Sequence, residues 1–553
     1  MSEPKQDPTR EQIESNLPET VEEAEGAKVP KSVATALPNV PDTLPQVDLD
    51  TILMNEIGDF GKYQLQCLIP ECESEPAKFD QPWVTNAVPP GHKGSLDYCQ
   101  RYGRAAPGPR PPGACPAELF DRSKRLPCDK YVHENTNSVV YDFGLECQEW
   151  RRTLLGVVRK LGTLTSLPIT SYMSDRFGRR IAIAFTSFNS AWIGLNRLWA
   201  FNYTSFAALE FIETTFGSGL FASCYILMVE LFGPKYRVAA GAMMHTSFAV
   251  GQIVLGMIAW RVPHWRRMTL AVYLPQLSSI LSYWLISESV RWYLSKGRFE
   301  DSEALLKKMA RVNGRSVADS SLAALRRTVQ EKLRSEEREG ARRGELRELA
   351  AQVWRHKHVL LRVLVSPVWW VASTFIYHGL VVNAVNISGN KYFNFIAVAA
   401  VEIPGFWLAY ILLNKLGRKP VLTGGFCVCA ACQLVYVFMP QGWSTMALTV
   451  YLMAKCAISM VMTGVYVYTA ELYPTRHRHK LLAVASICGR LGSILAPLTP
   501  AFAAQWYADL PFILFGGLAL LAGALVFLTP ETLGTVLPDT FEQAEQLGLK
   551  GRR

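Results

Sequence analysis

The sequence predicts an all-α membrane protein made of two related helical halves, and three observations support this fold class. The first is composition: of 553 residues, 49% are hydrophobic and 19% are charged, whereas about 25% are charged in an average soluble protein. The others are eleven long apolar stretches and an internal repeat. A soluble enzyme is therefore disfavoured. The net charge of +10 does not indicate a nucleic-acid partner, because the basic residues cluster in a few connections.

The eleven apolar stretches are predicted transmembrane helices, since a spanning helix needs ~20 mostly apolar residues. Many contain Gly and Ser, which allow close helix packing. They cover residues 152–173, 181–200, 206–231, 238–260, 268–287, 359–382, 392–413, 420–439, 444–470, 481–504 and 510–529.

Basic residues are concentrated in connections that alternate along the chain, which predicts that these connections face the cytoplasm. One connection breaks the pattern, because Arg261, Arg266 and Arg267 fall on the predicted outer side. The predicted cytoplasmic connections are 174–180, 233–237, 415–419, 476–480 and the long loop 291–357.

The predicted outer side carries two further marks. The sequons at Asn202 and Asn386 both fall in outer connections and are predicted glycosylation sites. The polar segment 67–150 contains six of the twelve cysteines, which predicts three disulfides with fifteen possible pairings. A zinc site is a weaker interpretation, because two C-x-x-C pairs are not present. The six are Cys67, Cys72, Cys99, Cys115, Cys128 and Cys147.

The beginning of the chain poses a topological problem. Residues 1–57 are acidic and Pro-rich, and they predict a disordered tail without a visible signal peptide. Such a tail should stay inside, whereas the Cys-rich segment should lie outside. No stretch between Met1 and Cys147 is long and apolar enough to connect the two sides. One transmembrane helix is therefore predicted to be missing.

Three motifs recur at a nearly constant spacing. Asp175 corresponds to Asn414 with an offset of 239, Glu230 to Glu471 with 241, and Ser287 to Pro530 with 243. This pattern predicts a duplicated half, 151–290 and 358–530, joined through the basic loop and followed by a cytoplasmic tail, 531–553. The second half has six stretches and the first has five, so the missing helix is the first one.

The recurring motifs place acids and bases together at predicted cytoplasmic helix ends. Such groups can pair across the two halves and close an inner gate. The alternative is that the bases only set topology, and we favour the gate because acids recur with them. Gly178 and Gly417 are predicted to permit the tight turns. The gate candidates are Asp175, Arg176, Arg179, Arg180, Glu230, Arg237, Arg418, Glu471 and Arg476.

These motifs resemble the major facilitator superfamily and, within it, the organic cation/carnitine (organic ion) transporter family. The resemblance covers about residues 51–545. Asp175–Arg180 marks only the superfamily, while the Cys-rich loop, Glu402-Ile403-Pro404 and Pro530-Glu531-Thr532-Leu533-Gly534 narrow the resemblance to the organic ion transporters. Members normally have a first transmembrane helix after the motif Phe60-Gly61-Lys62-Tyr63-Gln64, but here Cys67 follows almost at once. Asn414 also stands where the family has Asp.

Ionisable residues inside predicted spans are the candidate substrate contacts, because a charge at the bilayer centre costs at least ~2.5–3.5 kcal/mol. Glu210 and Glu213 share a helix face, and an ion pair with Arg159 or Lys160 is an equal alternative to substrate contact. The resemblance implies that Glu402 lies near a central cavity. Trp370 and Tyr377, seven residues apart, could offer ring faces to an organic cation. The candidates are Glu402, Arg490, Trp370, Tyr377, Glu210, Glu213 and Lys455.

Arg490 implies, by the same resemblance, a substrate that bears a carboxylate. We therefore predict a multi-pass plasma-membrane carrier of small organic ions, cations or carnitine-like zwitterions, working by alternating access without a cofactor, a metal or a nucleic-acid partner. One alternative is a carrier of sugars or other solutes from the same superfamily. The other is a transport-incompetent membrane protein that binds a ligand or partner chain, which the missing helix favours.

Overall fold

The computed structural model describes most of the chain from Leu65 to Leu547. The predicted tail, residues 1–57, lies outside the described residues. These are 65–67, 84–90, 97, 99–105, 116–128, 130–133, 137–232, 237–339, 345–387, 389–440, 442–474, 477–535, 538 and 540–547.

The described part of the Cys-rich segment consists of two small antiparallel sheets, two α-helices of one turn each and a short 3₁₀ helix, Ala117–Leu119. Strand β1 (Leu65–Cys67) and helix α1 (Val84–Ala87) are followed by β2 (Gln100–Arg104), β3 (Phe120–Pro127), β4 (Tyr131–His133) and α2 (Val139–Asp142). β1 pairs with β4, and β2 pairs with β3. Thus the residues directly after Gln64 form a strand.

Disulfide bonding is present among the described cysteines of this segment. Cys99 and Cys147 form one disulfide, and Cys128 is also disulfide-bonded. Cys72 and Cys115 lie outside the described residues, and Cys67 lies in β1. The six cysteines in the apolar spans are free thiols. The structure therefore confirms that the Cys-rich segment contains disulfides: Cys99 and Cys147 are bonded to each other, and Cys128 is also in a disulfide.

Long helices follow this segment without interruption by further strands in the described residues. The first half contains α3 (Glu149–Phe177), α4 (Arg179–Asn196), α5 (Tyr203–Gly217), α6 (Leu220–Leu231), α7 (Arg237–Arg261), α8 (Trp265–Gln276) and α9 (Ser282–Leu285). The basic loop forms α10 (Val290–Ser295), α11 (Phe299–Val312), α12 (Asp319–Glu339) and α13 (Glu345–Arg355). The second half contains α14 (Lys357–Asn383), α15 (Lys391–Ala400), α16 (Glu402–Lys415), α17 (Arg418–Val437), α18 (Ser444–Leu472), α19 (Arg478–Leu495), α20 (Thr499–Gln505) and α21 (Leu510–Val526), and α22 (Phe541–Gln546) lies in the tail.

All eleven predicted spans are helical, but they differ in how apolar they are. Within the described part of the chain, seven helical stretches are long and apolar enough to cross a membrane, and Leu510–Val526 is a shorter apolar helix. The three remaining predicted spans lie in α3, in α4, and in α8 with α9. Helix α3 explains the difference, because it buries small and polar residues such as Thr153, Gly162 and Ser166 against its neighbours. Helix contacts inside a bundle do not require apolar side chains.

The internal repeat is visible in the backbone. Gly178 between α3 and α4 has φ 109° and ψ 161°, and Gly417 between α16 and α17 has φ 101° and ψ 168°. Residues with a Cβ rarely adopt a positive φ of this size, so both turns need glycine. The same strained turn at equivalent positions supports the duplication predicted from the sequence.

The Cys-rich segment is anchored to the first half through α2. Asp142 accepts a hydrogen bond of 2.9 Å from the Trp265 indole and forms a 3.0 Å ion pair with Arg266. The Phe143 ring packs against Phe206 and Trp265, with centroids 5.5 and 6.3 Å away. Arg266, an exception to the charge pattern, therefore has a carboxylate partner in the segment predicted to lie outside.

The predicted glycosylation sites occupy two helix boundaries. Asn202 is exposed and caps α5, where its side-chain oxygen accepts the backbone N–H of Ser205 at 2.7 Å. Asn386 ends a 3₁₀ helix, Ala384–Asn386. The cap uses the side-chain oxygen of Asn202 and not its nitrogen, the atom that a glycan would modify. Glycosylation of Asn202 therefore stays a prediction, and this geometry permits it.

Candidate functional site

A buried ion pair lies at the centre of the second half. The predicted span 392–413 breaks at Val401, and α16 begins with Glu402, two residues before Pro404. Proline is tolerated in a first helical turn, where its absent N–H has no partner to lose. The Nζ atom of Lys455 on α18 lies 2.8 Å from Glu402 Oε1, and both side chains are fully buried. Two sequence-predicted candidates therefore neutralise each other.

Tyr377 and Gln252 complete the coordination of this carboxylate. The Tyr377 hydroxyl donates to Glu402 Oε2 at 2.7 Å, and Gln252 donates to the same oxygen at 3.2 Å. Lys455 lies 3.4 Å from the centroid of the Tyr377 ring and donates to the Tyr377 carbonyl at 3.1 Å. Gln252 belongs to α7, so this bond joins the two halves. Sequence reasoning missed Gln252, although an amide inside an apolar span was a usable signal.

Trp370 is separate from this carboxylate. Its indole N–H donates to the Thr469 hydroxyl at 3.0 Å, and its ring meets Tyr466 edge-on with centroids 4.5 Å apart. Its side chain is 1% exposed. Its proposed role as a ring face for substrate stays a prediction, because reaching it would require these contacts to open.

The first half contains its own buried charge cluster. Arg159 lies 2.7 Å from Glu210 and 3.5 Å from Glu213, and Arg197 pairs with the same two carboxylates. Ser190 also donates to Glu213 at 2.9 Å. The ion-pair interpretation of Glu210 and Glu213 thus describes their contacts in the structure. Arg197, at the end of α4, was missed because it lies at the edge of a predicted span.

Two basic residues near the candidate substrate contacts, Lys160 and Arg490, have no ion pair among the described residues. Lys160 on α3 and Arg490 on α19 are half-buried and lie close enough for their positive charges to interact. Among the described residues, neither side chain has a carboxylate within 4.0 Å. The contact between α3 and α19 thus joins two helices that each carry a basic residue with no described carboxylate within 4.0 Å.

The predicted gate residues form one cluster in each half. Arg179 binds both oxygens of Glu230, at 3.0 and 3.2 Å, and Asp175 at 3.0 Å. Arg418 binds both oxygens of Glu471 at 2.9 Å. These two arginines pair within a half, which corrects the expectation that they pair across the halves. The physical reason is that each tight turn brings its arginine beside the carboxylate of its own bundle.

The remaining gate candidates have different surroundings. Arg176 is exposed, and the Arg180 guanidinium lies 4.4 Å from the centroid of the Tyr283 ring. Arg476 and the side chain of Arg237 lie outside the described residues. A gating role for the candidates therefore stays a prediction.

Two further carboxylates, which the sequence analysis did not assign a role, cap the helices that follow the tight turns. Glu288 accepts the backbone N–H groups of Arg179 and Arg180 at 2.9 and 3.1 Å. Glu531 accepts those of Arg418 and Lys419, both at 2.9 Å. A carboxylate at a helix N-terminus satisfies free N–H groups and complements the helix dipole. Burial alone would raise the pKa of Glu531, but backbone N–H donation outweighs it and lowers this pKa below its ordinary value.

Replacing Gly178 by Ala is expected to lower the melting temperature of the purified protein. A Cβ there would lie 2.2 Å from Glu288 Oε2, and φ is 109°, so the substitution adds strain and displaces the cap. Backbone strain of this kind costs about 1–3 kcal/mol. The control is Gly424→Ala on α17, where a Cβ would meet nothing within 4 Å. Equal melting temperatures for the two variants would contradict the proposed cap geometry.

Comparison with known proteins identifies the family. The model of the family described as "Sugar (and other) transporter" matches residues 123–545. This chain belongs to that family. An organic cation transporter protein of Drosophila melanogaster is 31% identical over 464 residues, which cover 82% of this chain and 81% of the relative. Solute carrier family 22 member 3 of Rattus norvegicus is 30% identical over 466 residues, which cover 83% of this chain and 82% of the relative. This match places the chain in solute carrier family 22.

Solved structures of the wider superfamily have the same fold. The xylose transporter XylE from E. coli in an inward-open conformation matches with a TM-score of 0.56 and 18% identity, over 73% of this chain and 90% of that chain. The predicted superfamily, organic ion transporter family and helical membrane fold are thus confirmed.

The departure at Asn414 has a local consequence within this transporter family. Asn414 donates to the Tyr410 carbonyl at 2.9 Å, whereas Asp175 in the first half pairs with Arg179. The second-half cluster instead gains the Thr532 hydroxyl, which donates to Glu471 at 2.6 Å. The two clusters are therefore equivalent in backbone but unequal in charge.

Proposed function

We propose that this chain carries small organic ions across the plasma membrane by alternating access, with a preference for substrates that bear a carboxylate. Its place in solute carrier family 22 supports the transport of organic ions. The observation that carries the charge preference is the pair of cations Lys160 and Arg490, whose positive charges interact and which lie on two contacting helices, α3 and α19, with no described carboxylate within 4.0 Å of either. An anionic group placed between them gains attraction from both.

The Glu402–Lys455 pair supports a zwitterion as the second substrate class. A quaternary ammonium group could take the position of Lys455 Nζ beside the Tyr377 ring, where the cation now lies 3.4 Å from the ring centroid. Gln252 bonds to the same carboxylate from the other half. A substrate that displaces Lys455 from Oε1 of Glu402 would therefore bind beside a contact between the halves, the bond from Gln252 to Oε2.

Uptake into cells that display the protein at their surface tests this proposal. The probes are tetraethylammonium, carnitine and benzoate, each radiolabelled. We expect Arg490→Ala and Lys160→Met to lower carnitine and benzoate uptake by about 10- to 100-fold, since a hydrogen bond to a charged group contributes about 1.5–3 kcal/mol. Tetraethylammonium uptake should not fall. Arg311→Ala, in the exposed loop helix α11, is the control.

Two results would contradict the proposal. Unchanged carnitine and benzoate uptake by both variants would remove the carboxylate preference. Absence of uptake of all three probes by the unmodified protein at the cell surface would favour the second candidate, a ligand- or partner-binding membrane protein. The specific observation behind that candidate is that the described part of residues 65–148 contains no helix longer than one turn.

A further inference from the structure

The internal repeat relates α7 in the first half to α19 in the second. Glu230 and Glu471, just before these helices, differ by 241 residues, and so do Gly251 and Gly492 within them. At Gly492, a Cβ would lie 2.4 Å from the Val371 carbonyl oxygen of α14. Glycine at this position therefore lets the backbones of α19 and α14 approach closely.

Gly251, the equivalent residue of α7, has no such neighbour. A Cβ at Gly251 would meet no described atom within 4 Å. The same contrast is seen at two neighbouring positions. Phe248 is 49% exposed, whereas its equivalent Gly489 is buried. Leu255 is half-buried, whereas its equivalent Ala496 is fully buried. Within an apolar window of 18 residues, 17% of the residues of 239–261 are buried, against 39% in the corresponding window of 480–505, the stretch that contains α19. We call Phe248, Gly251 and Leu255 the α7 face.

The helix that would cover this face is the equivalent of α14. In the second half, α14 packs against α18, α19 and α21 together. In the first half, α5 with α6 is equivalent to α18, α7 is equivalent to α19, and α8 with α9 is equivalent to α21. No described helix takes the corresponding place among these three, and the sequence before Cys147 contains no apolar stretch of spanning length.

We propose that the α7 face is the docking site for one apolar transmembrane helix of a partner chain. The occupant has about 20 apolar residues, the length that a spanning helix needs. It approaches Gly251 closely and places a small residue opposite Phe248. Close packing at small residues drives helix association in membranes, where no hydrophobic difference between helix and lipid exists.

A single helix fits this site better than a second copy of the chain. The equivalent helix α14 is enclosed on three sides, so the occupant must enter between α6, α7 and α8. The α7 helix of a second copy is itself flanked by its own neighbours, including α15 and α16 of its second half. It cannot insert to the same depth.

The repeat also predicts which side chain the occupant must lack. At Gly489, a Cβ would lie 3.1 Å from the ring of Trp370, so this indole occupies the space beside that glycine. In α7 the equivalent residue is Phe248, whose ring contacts Phe221 with centroids 5.9 Å apart. In a helix like α14 bound at the α7 face, the indole of Trp370 would therefore clash with the ring of Phe248. Replacing Trp370 by a small residue in that helix should remove the clash and let the helix bind.

The test uses the full chain in lipid nanodiscs and a labelled peptide with the sequence of α14, Lys357–Asn383. We expect the peptide with Trp370→Ala to bind at least ten times more tightly than the unmodified peptide. Phe248→Gly in the chain should remove this difference by making room for the indole. Gly251→Leu should weaken binding of the shortened peptide at least tenfold, whereas Gly517→Leu, at a position with nothing within 4 Å, should leave it unchanged.

Three outcomes would overturn the proposal. Binding that is insensitive to both Gly251→Leu and a second variant, Leu255→Trp, would place the peptide elsewhere. Absence of saturable binding to a folded chain would remove the docking site. Energy transfer between two differently labelled copies without peptide, abolished by Gly251→Leu, would assign the face to a homodimer. Because the readout is binding, these results are independent of any substrate uptake.

Discussion

Replacing Lys455 by Met is expected to destabilise the protein by about 3–5 kcal/mol, the usual cost of removing one partner of a buried ion pair. Glu402 would remain with a fully buried carboxylate, and the ammonium group 2.8 Å from its Oε1 would be lost. Tyr377 and Gln252 donate only to the other oxygen, so they cannot replace that charge. The melting temperature of the purified protein, followed by tryptophan fluorescence, measures the loss.

A double variant separates charge from packing. Lys455→Met combined with Glu402→Gln removes both charges and keeps an amide oxygen for the Tyr377 and Gln252 donors. We expect it to recover most of the stability that the single variant loses, and the double-mutant cycle gives the coupling energy. Lys415→Met, at the exposed end of α16, is the control for removing a lysine. A Lys455→Met protein as stable as this control would contradict a charged pair at this site.

The second large effect is expected for Arg197→Met in the first half. Glu210 and Glu213 are 6% and 3% exposed, and Arg197 pairs with both. Without it, the two carboxylates share only Arg159. Because both acids are buried, we expect a loss of about 3 kcal/mol or more. The melting temperature and the fraction of monodisperse protein after solubilisation report it.

Arg159→Met is the matched comparison. Its side chain is 46% exposed, so water partly replaces its contribution, and we expect a smaller loss than for Arg197→Met. Arg197→Lys should recover only part of the stability, because one ammonium group cannot reproduce the fork of a guanidinium beside two carboxylates. A larger loss for Arg159→Met than for Arg197→Met would reverse the order of importance derived from burial.

The sequence predicted the helices because their determinants are local. Apolar length marks most of the spans, and a recurring glycine turn marks the two places where consecutive helices meet tightly. The gap after Gln64 stays a prediction, which comes from counting the apolar stretches in the two halves of the sequence. The three weaker spans were also predicted from apolar length, and in one of them, α3, the buried polar residues account for the lower apolar content.

The candidate site was predicted only in part. Glu402, Lys455 and Tyr377 were singled out because ionisable groups and aromatic rings in apolar spans are distinctive. Gln252 was not, although it connects the halves, and Arg197 was hidden at a span boundary. The sequence also left open whether Glu210 and Glu213 face a substrate or a base.

Reading the sequence alone was enough to predict a two-half helical membrane protein and its family motifs, and it also predicts that the first half has one span fewer than the second. Which charges pair with each other became visible only in the packed helices. Arg179 and Glu230 are 51 residues apart, and Glu402 and Gln252 are 150 apart. Contacts over such separations depend on how the helices pack, which the composition of any single helix does not specify. For the same physical reason, the exposed α7 face emerged only from comparing the packing around Gly251 and Gly492.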